Sequence, residues 1–322
     1  MTASIALGVF VLFVVGSIWY VYRYRGEVRY AGLSEYLRKG WPVFTPLNCL
    51  LYLNTEKRAR RAIMDTADFP ELREIQENWE LIREEAVALT EIGFFDQTTR
   101  EGEASYYDVG FRTFYKYGWS KFYVTWYGYT HASAKRHCPR TVDILSRVRT
   151  VNGAMFTLLP PGSKLTRHLD PAAVSLRFHL GLKTPNDDRC FINVDGRDYS
   201  WRDGEALIFD ETYLHYALNN TDQSRLILMC DVERPMGIIG RAVQWFYKGI
   251  VRFSVVPNTS EDKQGAYNRV FATLSPLLKR TKELKKTNRP LYKTLKYIVN
   301  SLLLVLLGAV VYGVVQLILL AF

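Results

Sequence analysis

Val174-Ser175-Leu176-Arg177-Phe178-His179-Leu180-Gly181-Leu182 alternates without a break. On extended backbone, every second residue shares a face. Val174, Leu176, Phe178, Leu180 and Leu182 therefore make one wholly apolar side, and Ser175, Arg177, His179 and Gly181 make the other. The apolar side demands a covering layer. The second side faces either solvent or the lumen of a barrel, where a lone guanidinium is costly without an anionic partner; a bound dicarboxylate would supply one. Outward from this strand, Val151–Leu159, Arg189–Val194, Glu205–Phe209 and Ser224–Val232 also read as strands, separated by turns at Pro160-Pro161-Gly162, Asp195-Gly196 and Asp203-Gly204. Short strands at this spacing predict a sandwich or a small barrel.

The residues that carry chemistry lie within the same region. Three of the chain's five histidines fall between Thr157 and Arg234. His168-Leu169-Asp170 leaves a turn with both polar side chains on one side, His215 follows the strand ending at Phe209, and Arg225 comes ten residues later. A His-x-Asp with one distant His is the ligand set of a facial-triad iron site, and a downstream Arg is the usual partner of a carboxylate co-substrate. Taken singly, each residue is more often structural: a lone His belongs to a core or a surface, and His-x-Asp is common. Order and spacing together make the case. The strands hold no Ser-His-Asp or Cys-His pattern.

At 322 residues and 48% hydrophobic the chain can bury a sizeable core. Its uncharged runs lie at the ends, Met1 to Tyr22 and Tyr297 to Phe322, each long enough to cross a bilayer core of roughly 30 Å as a helix. Basic residues follow the first run rather than precede it, and no Ala-x-Ala site comes after, which favours a retained anchor over a cleaved signal. The net charge of +10 is concentrated beside these runs. Arg23 to Lys39 has five basic and two acidic residues, a net +3, and Lys279 to Lys296 has eight basic residues and Glu283, a net +7, which leaves the middle neutral. That placement argues against a nucleic-acid partner. It fits basic flanks on the inner side of two spans, both termini outside and the middle in the cytoplasm, with attraction to anionic membrane lipids. The four widely spaced cysteines agree with a reducing compartment; Cys190 and Cys230 read as small core residues.

The chain so divides into a span at 1–22, a juxtamembrane, interfacial segment at 23–64, a cytoplasmic domain at 65–236 with its β-core at 151–235, amphipathic helices with a basic flank at 237–296, and a span at 297–322. Within 65–236, Asp68, Pro70 and Glu71 read as the start of one amphipathic helix whose apolar stripe is Leu72, Ile75, Trp79, Ile82, Ala86 and Leu89. Tyr106 to Tyr129 is half aromatic: a packed strand pair, or an aromatic-lined groove for an acyl chain. His131 and His137 lack a third ligand nearby and receive no role. Ile238 to Val255 reads as a helix with Ile239, Ala242, Val243, Phe246 and Ile250 on one side, packed on the barrel or lying on the membrane.

Pro160-Pro161-Gly162, His168-x-Asp170, Arg177-x-His179-Leu180-Gly181-Leu182, Asp203-Gly204-Glu205, Ile208-Phe209-Asp210, His215 and Arg225 together resemble the aspartyl/asparaginyl β-hydroxylase family. With Asn186–Phe191, Tyr199–Glu205 and the apolar ends, the chain is similar to that family's lipid A hydroxylase branch. The resemblance implies a mainly β chain with flanking helices, a double-stranded β-helix (jelly-roll, cupin-like) core with two transmembrane helices, in a bacterial inner membrane with periplasmic termini. It implies an Fe(II)- and 2-oxoglutarate-dependent dioxygenase using O2, with His168, Asp170 and His215 on iron. Arg225 and Thr157 would hold the distal carboxylate of 2-oxoglutarate, with Arg177 and His179 at its metal end. The implied reaction hydroxylates carbon 2 of a secondary acyl chain on lipid A or a lipopolysaccharide precursor, with no obligate protein partner. The alternatives are a hydroxylase of Asp or Asn side chains in a protein, a non-catalytic membrane lipid-binding protein, and a metal-dependent hydrolase, in which Arg177, His179 and Arg225 would lack a purpose.

Overall fold

The computed structural model describes residues 2–97, 100, 102–108, 110, 111 and 118–321. Eleven strands run as β1 (Ile63–Met64), β2 (Ser120–Trp126), β3 (Tyr129–Thr130), β4 (Val151–Leu159), β5 (Lys164–His168), β6 (Ser175–Lys183), β7 (Cys190–Val194), β8 (Arg197–Ser200), β9 (Ala206–Phe209), β10 (His215–Asn219) and β11 (Arg225–Glu233) among the described residues. They form two antiparallel sheets. The larger has the order β1-β9-β6-β11-β4-β2-β3 and the smaller β5-β10-β7-β8. From β4 to β11 the chain winds between the sheets so that β9-β6-β11-β4 faces β5-β10-β7-β8, the eight-strand arrangement of a jelly roll. This is the double-stranded β-helix that the resemblance implies.

The alternation of β6 sets the layers. Leu176, Phe178, Leu180 and Leu182 are buried on the outer face of the large sheet, against Ile75, Ile82, Ala86, Leu89, Ile144 and Leu145. Burial of each such side chain stabilises by about 1.5–3 kcal/mol. The covering residues come from α4 (Arg73–Glu77), α5 (Trp79–Glu91) and, after α6 (Phe94–Gln97) and α7 (Ala132–His137), α8 (Pro139–Arg147). The inner face, with Met155, Leu207, Phe209, Ile227 and Met229, meets Ile192, Val194 and Ala217 of the small sheet. Asp195 and Gly196, both at positive φ (51° and 87°), turn β7 into β8 as a two-residue hairpin loop. The Arg202 carbonyl sits against Gly181 of β6, where a Cβ would collide with it.

The helix expected from Asp68 is not continuous. Its apolar stripe is buried as the spacing predicts, but the chain makes 3-10 turns at Thr66–Asp68 and Pro70–Leu72, then two helices interrupted at Asn78. Asp65 rather than Asp68 supplies the cap, accepting from Ala67 N at 2.9 Å. At the N-terminal side lie α1 (Thr2–Arg23), α2 (Leu33–Lys39) and α3 (Thr45–Asn54); after the barrel come α9 (Ile238–Val251), α10 (Ala266–Thr287) and α11 (Arg289–Ala321). The molecule divides into two units, Met1–Asn268 and Arg269–Phe322, the second holding most of α10 and all of α11.

The expectation of two transmembrane helices requires correction. Among the described residues no helix is long and apolar enough to cross a membrane. The last turns of α1 instead belong to the folded unit: Ser17 is buried, and Ile18, Val21 and Tyr22 pack against Tyr30, Tyr36, Leu169 and Leu214. The side chains of residues 1–4, 6 and 7, and of most residues from 303 to 322, lie outside the description, and those parts of the expected spans lie there with them. All four cysteines are buried and free, with Cys190 and Cys230 in the core as expected.

Candidate functional site

β5 and β10 pair so that His168 and His215 stand directly opposite each other. Their rings are 4.1 Å apart at the centroids. Asp170 follows two residues after His168, and its Oδ1 lies 3.6 Å from His168 Nε2. Among the described residues, His168, Asp170 and His215 form a group whose ligand atoms all lie within 4.8 Å of one another. His168 Nδ1 donates to the Thr166 carbonyl at 2.7 Å, and His215 Nδ1 donates to that of Tyr213 at 2.9 Å. Each bond fixes the tautomer and leaves Nε2 with a free lone pair, which a metal-ligating histidine requires. Burial pulls the His215 imidazole down to about 3, with His168 acting in the same direction and Asp170 against it. Burial opposes ionisation of Asp170, but His168, His215 and Arg177 together hold it below the usual range. Two imidazoles and one carboxylate grouped this closely fit Fe(II) and leave its remaining positions open.

Arg177 points into the lumen, as the strand alternation predicts, but its anionic partners come from the protein. It makes ion pairs with Asp231 and Glu211 and reaches Asp170 Oδ2 at 3.4 Å. The missing partner expected from an external dicarboxylate is therefore present as three side chains, and Arg177 sits behind the candidate ligand Asp170. Glu211 is pushed well above its ordinary value by burial, with Arg177 opposing and Asp170 and Asp231 reinforcing. Tyr127 closes the group through its hydroxyl on Asp231 at 3.2 Å.

The other end of the lumen is built differently. Arg225 is fully buried, and no carboxylate pairs with it among the described residues. Its guanidinium lies over the rings of Trp201 (4.5 Å) and Trp119 (4.9 Å), and Nη2 reaches Thr157 Oγ1 at 3.4 Å. Nε and Nη1 have no partner. Burial pulls Arg225 down to about 10, against an opposing influence of Cys190. Trp201 also donates to His179 Nδ1 at 3.4 Å. Indole only donates, so His179 carries its proton on Nε2, and that N–H is likewise buried without a partner. Burial, then Arg225, Arg177 and His215, hold His179 well below its ordinary value. Phe209 lies between the two ends, 5.1 Å from the His179 ring and 5.7 Å from that of His215. Three buried donors without partners among the described residues call for a ligand rich in acceptors, and a carboxylate supplies them.

The structure thus gathers every residue singled out in the sequence, His168, Asp170, Arg177, His179, His215, Arg225 and Thr157, into one lumen. Sequence reasoning missed Trp119, Trp201, Phe209, Glu211 and Asp231, whose only signal is the alternation of the strands that carry some of them. It also missed the N-terminal segment. Trp41 Nε1 donates to the Leu169 carbonyl at 3.0 Å, and Asn48 bonds both the Pro171 carbonyl and Ala173 N at 2.9 Å, bracketing Asp170. Arg25, stacked between Tyr52 and Tyr213, pairs with Asp210 at 2.7 Å and donates to the Thr212 carbonyl at 3.2 Å, upstream of His215. Asp195 accepts from the backbone of Glu27 and Val28 and donates its own N–H to Leu214. Of the aromatic stretch, Phe114, Tyr115 and Tyr117 lie outside the described residues; Trp119, Tyr123, Trp126 and Tyr127 pack in the inner core as a strand and its turn.

Residues 76–235 match the family model of the aspartyl/asparaginyl β-hydroxylases. The ornithine lipid ester-linked acyl 2-hydroxylase of Rhizobium tropici is 29% identical over 226 residues, 69% of this chain and 78% of that protein. Human aspartyl/asparaginyl β-hydroxylase is 28% identical over 174 residues, 51% of this chain but only 21% of the human protein. Among solved structures, a Pseudomonas putida prolyl-4-hydroxylase aligns at a TM-score of 0.32 and 16% identity, over 48% of this chain and 86% of that one.

Proposed function

Since this chain belongs, through residues 76–235, to the aspartyl/asparaginyl β-hydroxylase family, we propose that it is a membrane-associated Fe(II)- and 2-oxoglutarate-dependent dioxygenase that hydroxylates carbon 2 of a lipid acyl chain. The observation that carries this reading is the buried Arg225, with no carboxylate partner among the described residues, at the opposite end of one lumen from His168, Asp170 and His215. A metal-dependent hydrolase has no use for such an arginine. A keto diacid needs both ends.

In this reading His168, Asp170 and His215 hold the metal. Bound Fe(II), with O2 and the keto acid, supplies the oxidation of an unactivated C–H bond coupled to loss of CO2. Arg225 and Thr157 bind the distal carboxylate of 2-oxoglutarate, while Trp119 and Trp201 exclude water and lower the local dielectric, which strengthens that pairing. His179 offers its Nε2 proton toward the co-substrate. Arg177 and Glu211 orient Asp170.

We take lipid A as the lipid, in line with the resemblance. Ornithine lipid is the second reading, favoured by the R. tropici relative's acyl 2-hydroxylase name. Expression in a bacterium lacking such an enzyme, followed by mass spectrometry of both lipid classes, separates them. Lipid A heavier by one oxygen, and unchanged when His168→Ala is expressed, is the expected result. A shift confined to ornithine lipid moves the assignment to that substrate. Unchanged lipids with good expression overturn the lipid reading.

A further inference from the structure

α3 packs between α1 and α9. Its inner side carries Asn48, Leu51 and Tyr52, which serve the loops around Asp170 and His215. Its outer side carries Leu47, Leu50 and Leu53, all exposed, the last at 75%. α9 is turned the same way. Gly240 and Gln244 are buried, Gln244 Nε2 donating to the Val174 and Arg234 carbonyls, while Tyr247 packs against the core. That leaves Ile238, Ile239, Trp245, Phe246 and Ile250 in the open, with Ile238 at 76% and Trp245 at 77%. The apolar side, read from the sequence as packed on the barrel or lying on the membrane, is thus in large part exposed.

Two helices in contact expose eight large apolar side chains, and such a surface marks an interaction face. Charge selects the occupant. Residues 41–55 hold no charged side chain, and residues 237–260 hold Arg241 and Arg252, with Lys248 paired to Glu233, and no Asp or Glu of their own. A second copy of this face would oppose cation to cation. An anionic bilayer offers hydrocarbon to the isoleucines and leucines, an interface to Trp245, and head groups to the arginines, each basic residue contributing about 1 kcal/mol near the surface.

We infer that the outer face of α3 and α9 seats in an anionic lipid bilayer. Because the inner face of α3 bonds Pro171 and Ala173, the seat holds the metal site one helix away from the lipid. The inference rests on the lipid-hydroxylase reading for its purpose, but its test uses no turnover. All four native cysteines are buried, so the full-length protein carrying Leu50→Cys, Trp245→Cys or, as a control on the outer side of α5, Glu80→Cys takes a single nitroxide label. In phosphatidylglycerol/phosphatidylethanolamine vesicles, molecular oxygen is expected to relax the labels at 50 and 245 severalfold more than a water-soluble nickel chelate does, with the order reversed at 80. In phosphatidylcholine alone, the oxygen preference at 245 is expected to fall.

Equal access of the nickel chelate to 50, 245 and 80 overturns the seat. So does spin–spin broadening at 50 and 245 that vanishes on dilution with unlabelled protein, which would mark a second copy as the occupant. An unchanged preference in phosphatidylcholine overturns the anionic requirement. Lipid-buried labels in a protein that leaves acyl chains unmodified would instead remove the hydroxylase reading and keep the seat.

Discussion

Two arginines on neighbouring strands of one sheet have opposite environments, and that contrast assigns them. Arg177 is saturated by Asp170, Glu211 and Asp231, whereas Arg225 has two nitrogens without partners among the described residues. Arg225→Met is expected to weaken 2-oxoglutarate binding about 100-fold, in line with the 2–5 kcal/mol that a buried charge pair loses when one partner is truncated. Calorimetric titration with Mn(II) in place of iron reads it, and unchanged affinity removes Arg225 from the co-substrate. Arg177→Met leaves buried carboxylates unpaired, so it should cost about 3–5 kcal/mol of stability. It should also weaken Mn(II) binding through Asp170 with a smaller effect on 2-oxoglutarate. The sequence puts Arg177 on an inward face by local alternation and assigns Arg225 a site role only through the family resemblance. It does not show which one is satisfied, because Asp231, the strand partner of Arg177, and Glu211 approach only when distant segments pair.

At the scale of elements, the ligand loops are held by a segment outside the stretch matched to the family. Asn48 satisfies one carbonyl and one N–H of the 171–173 loop. Asn48→Ala orphans both, at about 1–3 kcal/mol each, and is expected to lower both thermal stability and Mn(II) affinity. Lower stability with full metal affinity would make Asn48 a packing residue only. Long strands rich in apolar residues, such as β4, β6 and β11, are legible in sequence to within a residue. β5, β8 and β10 are not, because their pattern is mixed and partners in the other strands define them. The apolar stripe of α9 was legible, but not its direction, since Gln244 faces inward on hydrogen bonds that no periodicity reveals.

At the scale of the whole molecule, the histidines make stability depend on pH. His131, His179 and His215 are buried, and burial lowers each below the unfolded value of about 6.5. Below that pH the unfolded chain binds protons that the native state refuses. Their stabilisation is therefore complete above about pH 6.5 and is lost as the pH falls, by up to about 1.4 kcal/mol per pH unit for each histidine. Chelator-treated protein should show this slope in urea unfolding between pH 6.5 and 5, and His131→Gln should reduce it by one proton; an unchanged slope in that variant contradicts the attribution. The barrel and its inward residues were readable from sequence, as were the basic flanks. Apolar character at Ile18, Val21 and Tyr22 serves packing against the domain, while most side chains of the C-terminal apolar run lie outside the described residues. The central claim is an oxygenation driven by a keto acid. It is tested most directly by supplying the purified full-length protein with Fe(II), 2-oxoglutarate, lipid and oxygen-18 gas. The expected result is one heavy oxygen in the acyl chain and one in succinate, with CO2 released in equal amount. Heavy oxygen in neither product, or a hydroxyl drawn from water, would contradict it.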